Sequence, residues 1–311
     1  MLPTSAWVLT EDFAGLRAQA LGLAEAAGLA PETRTIRPRG IWRHLSPALW
    51  PAPLRAVEPD GLAPPLPEII VGCGGKAAAV LSALRYRARG VIIQHPRMAT
   101  GRFDLVIAGR HDELTGPNVL VTRTAIHRVT PDRLAAATEI WAARFAAMNR
   151  PLVAVLVGGS NGRFTLDVRT GEILATQLST MMRDDGVGLV LTPSRRTDPA
   201  VTKILGDTLR PLGAEVWNGT GDNPYFGMLA LADAIIVTVD SVSMLSEAVA
   251  TRAPVMSVAL PGKSRRIGLF VGGLIDDGRV RPYQGRFETW PVSPINDTPE
   301  MAAEMCRRFG Y

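Results

Sequence analysis

The sequence predicts an α/β protein built from two Rossmann-like domains. Three observations carry this. Short, continuous, β-branched runs alternate with Ala/Leu-rich helical stretches, the pattern of a parallel sheet covered on both faces. The alternation is interrupted at Asn149-Arg150-Pro151 and then restarts with the same grammar. Polar turns rich in Gly and Ser follow several strands, on the edge where open α/β sheets bind ligands. At 311 residues the chain is long enough for two domains of ordinary size.

In the first half, Trp7-Val-Leu9 reads as a strand and Gly15 to Ala27 as a helix. Glu68-Ile-Ile-Val71 is a second strand, followed by Gly72-Cys-Gly-Gly75 and a helix through Arg87. Gly90-Val-Ile-Ile-Gln94, Leu105-Val-Ile-Ala108 and Val119-Leu-Val121 continue the sheet. Thr130 to Asn149 is a helix with Pro131 in its first turn. Pro47 to Pro67 carries seven prolines, at 47, 51, 53, 59, 64, 65 and 67, and is too stiff for helix or sheet. These residues, 1–150, form the first domain.

Leu152-Val-Ala-Val-Leu-Val157 opens the second domain, 151–297. It runs through helix 171–184, strand 188–191, helix 198–210, strand 214–217, helix 224–231, strand 234–239, helix 243–251 and strand 255–258. A last helix lies between Pro299 and Phe309, within 298–311.

Composition narrows the function classes. Hydrophobic residues make up 47% and charged residues 20%, a globular balance. The two cysteines, Cys73 and Cys306, give no disulfide framework, which suits a reducing cytoplasm. The four histidines show no metal-ligand spacing, so no metal site is expected. Ala6-Trp-Val-Leu9 is cut off by Glu11-Asp12 and is not a signal peptide. No run approaches the ~18 apolar residues needed to span a bilayer. Basic residues exceed acidic ones by 34 to 29, a net +5, which fits anionic small molecules or anionic surfaces. No nucleic-acid motif is present and aromatics are few, at 6%.

The segment from Asp222 to Pro254 is the most informative. Strand Ala234-Ile-Ile-Val-Thr-Val239 ends in Asp240-Ser241-Val242-Ser243, where a helix begins. Free backbone N–H groups and short hydroxyls make such a start a site for phosphate. Glu247, four residues after Ser243, shares its helical face and can accept hydrogen bonds from a ribose. Singly, such residues are ordinarily a cap and a dipole partner; their order along one segment suits a nucleoside diphosphate. Two further loops belong to the same rim. Gly158-Gly159-Ser160-Asn161-Gly162 lets a backbone approach a ligand, without the dinucleotide spacing. Thr192-Pro-Ser194-Arg195-Arg196-Thr197 carries two guanidiniums suited to phosphate. Asn223 and Tyr225 lie in a fourth loop on that rim. Arg163-Phe-Thr-Leu166 is expected to form a β-ribbon beyond the glycine loop.

Asn223-Pro-Tyr-Phe-Gly-Met228, Asp240-Ser-Val-Ser-Met244 with Ser246-Glu247, Thr192-Pro-Ser-Arg-Arg-Thr197, Phe103-Asp104, His111-Asp112 and Gly116-Pro-Asn-Val119 resemble the bacterial relatives of the plant elongated-mitochondria fission factor, over nearly the whole chain. The second half is also similar to the donor domain of GT-B glycosyltransferases of the MurG type, through Gly158-Gly159-Ser160 and Ser241…Ser246-Glu247. This second resemblance implies a GT-B-like fold, two domains facing a cleft, with the last helix packed back on the first domain. It implies a UDP-sugar-like donor held by Gly158, Gly159, Ser160, Ser194, Arg195, Arg196, Asn223, Tyr225, Ser241, Ser243, Met244 and Glu247, with no metal and no other cofactor. In such enzymes the acceptor-side base often comes from the first βα loop, so Glu11 or Asp12 is the candidate, with His111 as a third.

The resulting expectation is a metal-independent glycosyltransferase acting on a lipid-linked or cell-envelope acceptor. The alternatives are a nucleotide-sugar epimerase or a non-enzymatic membrane-associated scaffold. Trp42, Leu45, Leu49 and Trp50, interleaved with arginines, read as a peripheral contact with an anionic membrane, at the inner face of the cytoplasmic membrane; the same pattern also suits a core-covering loop.

Overall fold

In the computed structural model, which describes residues 5–58 and 62–311, the chain divides into two compact units. One comprises residues up to Arg128 together with Asn296–Tyr311, the other Val129–Ile295. Pro59 of the proline-rich segment lies outside the described residues.

The first unit is a parallel six-stranded sheet. Its strands are β1 (Ala6–Thr10), β2 (Glu32–Thr35), β3 (Ile69–Cys73), β4 (Arg89–Ile93), β5 (Leu105–Gly109) and β6 (Val119–Thr122), in the order β2-β1-β3-β4-β5-β6. Successive side chains of β1 enter opposite cores, as the two-residue strand period demands. Val8 packs with Leu23 of α1 (Ala14–Ala26), while Trp7 and Leu9 pack with Val80 and Leu81 of α2 (Gly75–Ala83). The edge strand β2, Glu-Thr-Arg-Thr, carries no apolar signal and escapes a reading based on hydrophobicity.

The second unit begins earlier than the Pro151 boundary expected from the sequence. Helix α3 (Pro131–Phe145) places Ala137, Trp141 and Phe145, four residues apart, in the same core as Leu152, Ala154 and Leu156 of β7 (Leu152–Val157). The break at 149–151 is therefore an αβ turn inside the unit. Next come α4 (Val168–Asp185), β8 (Gly188–Pro193), α5 (Pro199–Leu209), β9 (Glu215–Val216), α6 (Tyr225–Leu231), β10 (Ala234–Thr238) and α7 (Val242–Val249). The unit closes with β11 (Val255–Val258), α8 (Arg265–Asp276) and β12 (Val280–Pro282). The sheet order is β12-β11-β10-β7-β8-β9, all parallel. Alternate residues of β7 again separate, Val153, Val155 and Val157 facing the core shared with α4 and α5. Gly227 admits the close approach of α6 to α3, since a Cβ there would lie 2.4 Å from the Trp141 ring.

Helix α9 (Thr298–Phe309) returns to the first unit, where Met301, Ala302 and Met305 share a core with α1. Its start is fixed by Asp297, whose buried carboxylate accepts hydrogen bonds from Arg123 N at 2.6 Å, Arg123 Nε at 3.0 Å and Thr124 N at 3.3 Å.

Candidate functional site

In the second sheet the chain leaves β7 toward β8 on one side and later returns to β10 on the other. The loops after β7 and β10 therefore flank the topological switch point, where open α/β sheets bind ligands. Asp240 organises this point. Its buried carboxylate accepts hydrogen bonds from Thr238 Oγ1 at 2.7 Å, Gly159 N at 3.0 Å and the Arg196 guanidinium at 2.8 Å. Thr238 Oγ1 in turn accepts from Gly158 N at 2.8 Å, and Arg196 also donates to Gly159 O at 3.2 Å.

The glycines at 158 and 159 serve loop-to-loop contact. A Cβ on Gly158 would lie 2.2 Å from an Asp240 carboxylate oxygen, and one on Gly159 would lie 2.3 Å from Arg196 O. Ser160 is held to Leu166, its hydroxyl accepting from Leu166 N at 2.9 Å. Ser194 Oγ accepts from Arg196 N at 3.1 Å and lies 3.1 Å from Thr197 Oγ1. The two neighbouring arginines thus differ: Arg196 is built into the loop framework, while Arg195 is exposed and its side chain has no partner among the described residues.

Beside this framework stands the start of α7. Ser241 caps it, accepting from Met244 N at 3.4 Å, and Ser243 and Met244 in its first turn are half-buried. One turn on, Glu247 accepts a hydrogen bond from the Tyr225 hydroxyl. Asn223 positions Tyr225, accepting from its backbone N–H at 3.0 Å. Burial pushes the Glu247 carboxyl up from its ordinary 4.5 to about 7, against the opposing pull of the tyrosine hydrogen bond. Burial, then the neighbouring Glu247 charge, raises the Tyr225 phenol well above its ordinary range. An ionisable carboxyl held in this way near a helix start has a perturbed proton affinity of the kind found at binding sites.

The expected β-ribbon at 163–166 is a single turn with a different partner. Phe164 bridges Asn161 and also Gly262, in the loop after β11. Thr165 N donates to Pro261 O at 2.8 Å and Lys263 N to Arg163 O at 3.1 Å. Because β10 lies between β7 and β11, this clasp joins the two loops that flank the end of β10. No sequence motif pointed to residues 261–264. The available signal was Gly262, which adopts φ +130 and where a Cβ would lie 2.1 Å from Arg163 O.

The three acceptor-side candidates of the first unit are not brought together. Glu11 and Asp12 follow β1, whereas His111 follows β5, three strand spacings or about 14 Å away across the sheet. Glu11 is ion-paired with Lys76 at 2.7 Å across the β1–β3 switch point. Asp12 is exposed and pairs with Arg17 at 2.5 Å. His111 is buried, its ring lying 2.2 Å from where a Cβ on Gly109 would stand. Among the described residues, no group of three or more His, Cys, Asp and Glu is placed to hold a metal ion, and no helix is long and apolar enough to cross a membrane.

The tryptophans expected at a membrane surface face inward. Trp50 is buried, with Trp42 edge-on to it at a ring distance of 6.5 Å, and both pack with α2 and its neighbours. Aromatic area is worth more in a core than on a turn. Ile41, 65% exposed, and Leu49, 70% exposed, form the outward apolar surface instead.

Two parallel α/β sheets in separate units, the second with a serine-capped helix start and a buried carboxylate at its switch point, are the features of the GT-B fold class. MurG of Acinetobacter baumannii matches with a TM-score of 0.53 and 16% identity, over 98% of this chain and 94% of that one. The UDP-GlcNAc 2-epimerase of Methanocaldococcus jannaschii matches with 0.56 and 11%, over 99% and 100%. That of Neisseria meningitidis, bound to UDP-GlcNAc, matches with 0.53 and 11%, over 98% and 100%. These similarities establish the fold. Residues 14–309 match the family described as Mitochondrial fission ELM1, and the chain belongs to that family. The mitochondrial fission protein ELM1 of Arabidopsis thaliana is 33% identical over 81% of this chain, which spans 65% of that protein's length. An uncharacterised protein of Rickettsia prowazekii is 22% identical over 95% of this chain and 96% of its own length.

Proposed function

We propose that the second unit binds a nucleotide sugar at the β7–β10 switch point and that the protein transfers the sugar to an acceptor hydroxyl. The observation that carries this is the Tyr225–Glu247 pair one helical turn inside the start of α7. Glu247 in its ionised form accepts hydrogen bonds from the two ribose hydroxyls. The N–H groups at the start of α7, with Ser241 and Ser243, receive the diphosphate, and the unpartnered Arg195 neutralises charge on the leaving group. The Gly158–Ser160 loop and Arg196 hold the floor of this site through Asp240. No metal is needed for leaving-group stabilisation in this scheme. The acceptor is held by the first unit, and Glu11 or Asp12 at the end of β1 takes its proton; His111 supports the loop after β5.

The acceptor is lipid-linked in this reading, and the protein attaches peripherally to an anionic membrane. The exposed Ile41, Leu45 and Leu49, flanked by exposed Arg39 and Arg43, support this. Each basic side chain near an anionic surface contributes about 1 kcal/mol. The test is incubation with UDP-sugars, with and without anionic lipid extract, following UDP release and the fate of the sugar. Acceptor-dependent UDP release supports the transferase. Isomerised sugar without acceptor replaces it with an epimerase. Absence of turnover and of binding leaves a scaffold.

A further inference from the structure

The clasp between the loops after β7 and β11 carries two cations that the framework does not use. Arg163 and Lys263 are adjacent through the Lys263 N to Arg163 O hydrogen bond, and both side chains are exposed without a partner among the described residues. They are adjacent, whereas Arg183 and Arg252, likewise exposed without a partner among the described residues, stand elsewhere in the same unit. Of the chain's three lysines, Lys76 is paired with Glu11 and Lys203 with Asp207, while Lys263 meets no carboxylate among the described residues. Other arginines of the same unit reach acids, as in Arg144–Glu215, Arg150–Asp233, Arg281–Glu288 and Arg286–Asp185. The clasp is also built, not incidental. Gly262 is required both by its φ of +130 and by contact with Arg163 O, and Phe164 is buried beneath it. It is fixed to the candidate site, since the Asn161 side chain donates to Asp240 O at 3.4 Å.

We infer that the group attached to the diphosphate is itself anionic, a sugar carrying a carboxylate or phosphate, and that Arg163 and Lys263 bind that charge. This rests on the nucleotide-sugar reading above. The diphosphate is met by the start of α7 and Arg195, in the loops after β10 and β8. A second positive pair beside the end of β10 suits a second negative charge on the ligand. Arg offers a fork to a carboxylate or phosphate, and Lys adds a compact charge.

Titration calorimetry with UDP, UDP-glucose, UDP-glucuronate and a UDP-linked phosphosugar separates the possibilities. The expected result is UDP-glucuronate or the phosphosugar bound about tenfold more tightly than UDP-glucose, the size of one charge-assisted hydrogen bond. Which acidic ligand binds better identifies the source of the charge. Lys263→Ala and Arg163→Ala should each abolish the preference while leaving UDP affinity within about twofold. As an independent readout, amine labelling at Lys263 should be slowed by the acidic sugar nucleotide and not by UDP-glucose. Equal binding of neutral and acidic sugars, with UDP bound, overturns this inference and spares the nucleotide-sugar reading. Absence of UDP binding overturns both.

Discussion

Replacing Glu247 by Gln tests the site through its proton. The substitution keeps an oxygen able to accept from Tyr225 and removes the charge. The folded protein holds the Glu247 proton up to about pH 7, whereas the unfolded chain releases it near the ordinary 4.5. Folding therefore takes up a proton between these values. The stabilisation is complete below pH 4.5, declines as pH rises toward 7 and is flat above. Moving a carboxyl over that interval corresponds to about 3 kcal/mol, and the half-buried position reduces this to about 2 kcal/mol. At pH 8, Glu247→Gln should thus be more stable than the parent by about 2 kcal/mol, a rise in Tm of roughly 4–8 °C for a unit of this size. At pH 4.5 the two should coincide. The same variant should lose most of the Tm increase caused by UDP, because a neutral amide replaces the charged acceptor. Thermal melts of both proteins from pH 4.5 to 8, with and without UDP, measure all of this. A stability difference independent of pH would refute the buried-carboxyl argument, and equal UDP-induced shifts would remove Glu247 from the site.

Other substitutions probe separate features. Arg195→Ala should lower UDP affinity about tenfold in a binding titration with unchanged Tm, whereas Arg196→Ala, which strips a partner from buried Asp240, should cost about 1–3 kcal/mol of stability in urea melts. Arg279 is buried and donates to Val249 O, Thr251 O and Ala253 O at the end of α7, and burial lowers it to about 10; Arg279→Ala should cost about 3 kcal/mol by the same measurement. Ile41→Ser/Leu49→Ser should weaken co-sedimentation with anionic vesicles at low salt, whereas substitution of buried Trp50 should act through stability, read as a lower Tm.

The strands and the β10–α7 segment were legible because their signals are local. A β-branched run, a serine cap and a carboxylate four residues on can be read without knowing what they touch. The allegiance of α3 was not legible, since its Ala137, Trp141 and Phe145 stripe fits any apolar sheet face and only the fold decides which. Trp42 and Trp50 admit both an interfacial and a core-covering reading from sequence, because Trp beside Arg looks the same in either setting. The division of labour between Arg195 and Arg196 depends on which one reaches Asp240, a residue 44 positions away. The Gly262 clasp likewise joins segments about a hundred residues apart, and edge strands β2 and β12 are too short or polar to announce themselves.

The β7–β10 rim of the second unit is proposed here as a nucleotide site. Isothermal titration of the intact protein with UDP tests it most directly. Saturable binding of one UDP per chain is expected at micromolar to submillimolar concentration, abolished by Glu247→Ala in a protein that still melts cooperatively. An absence of binding heat at millimolar UDP, or binding that Glu247→Ala leaves intact, would contradict it.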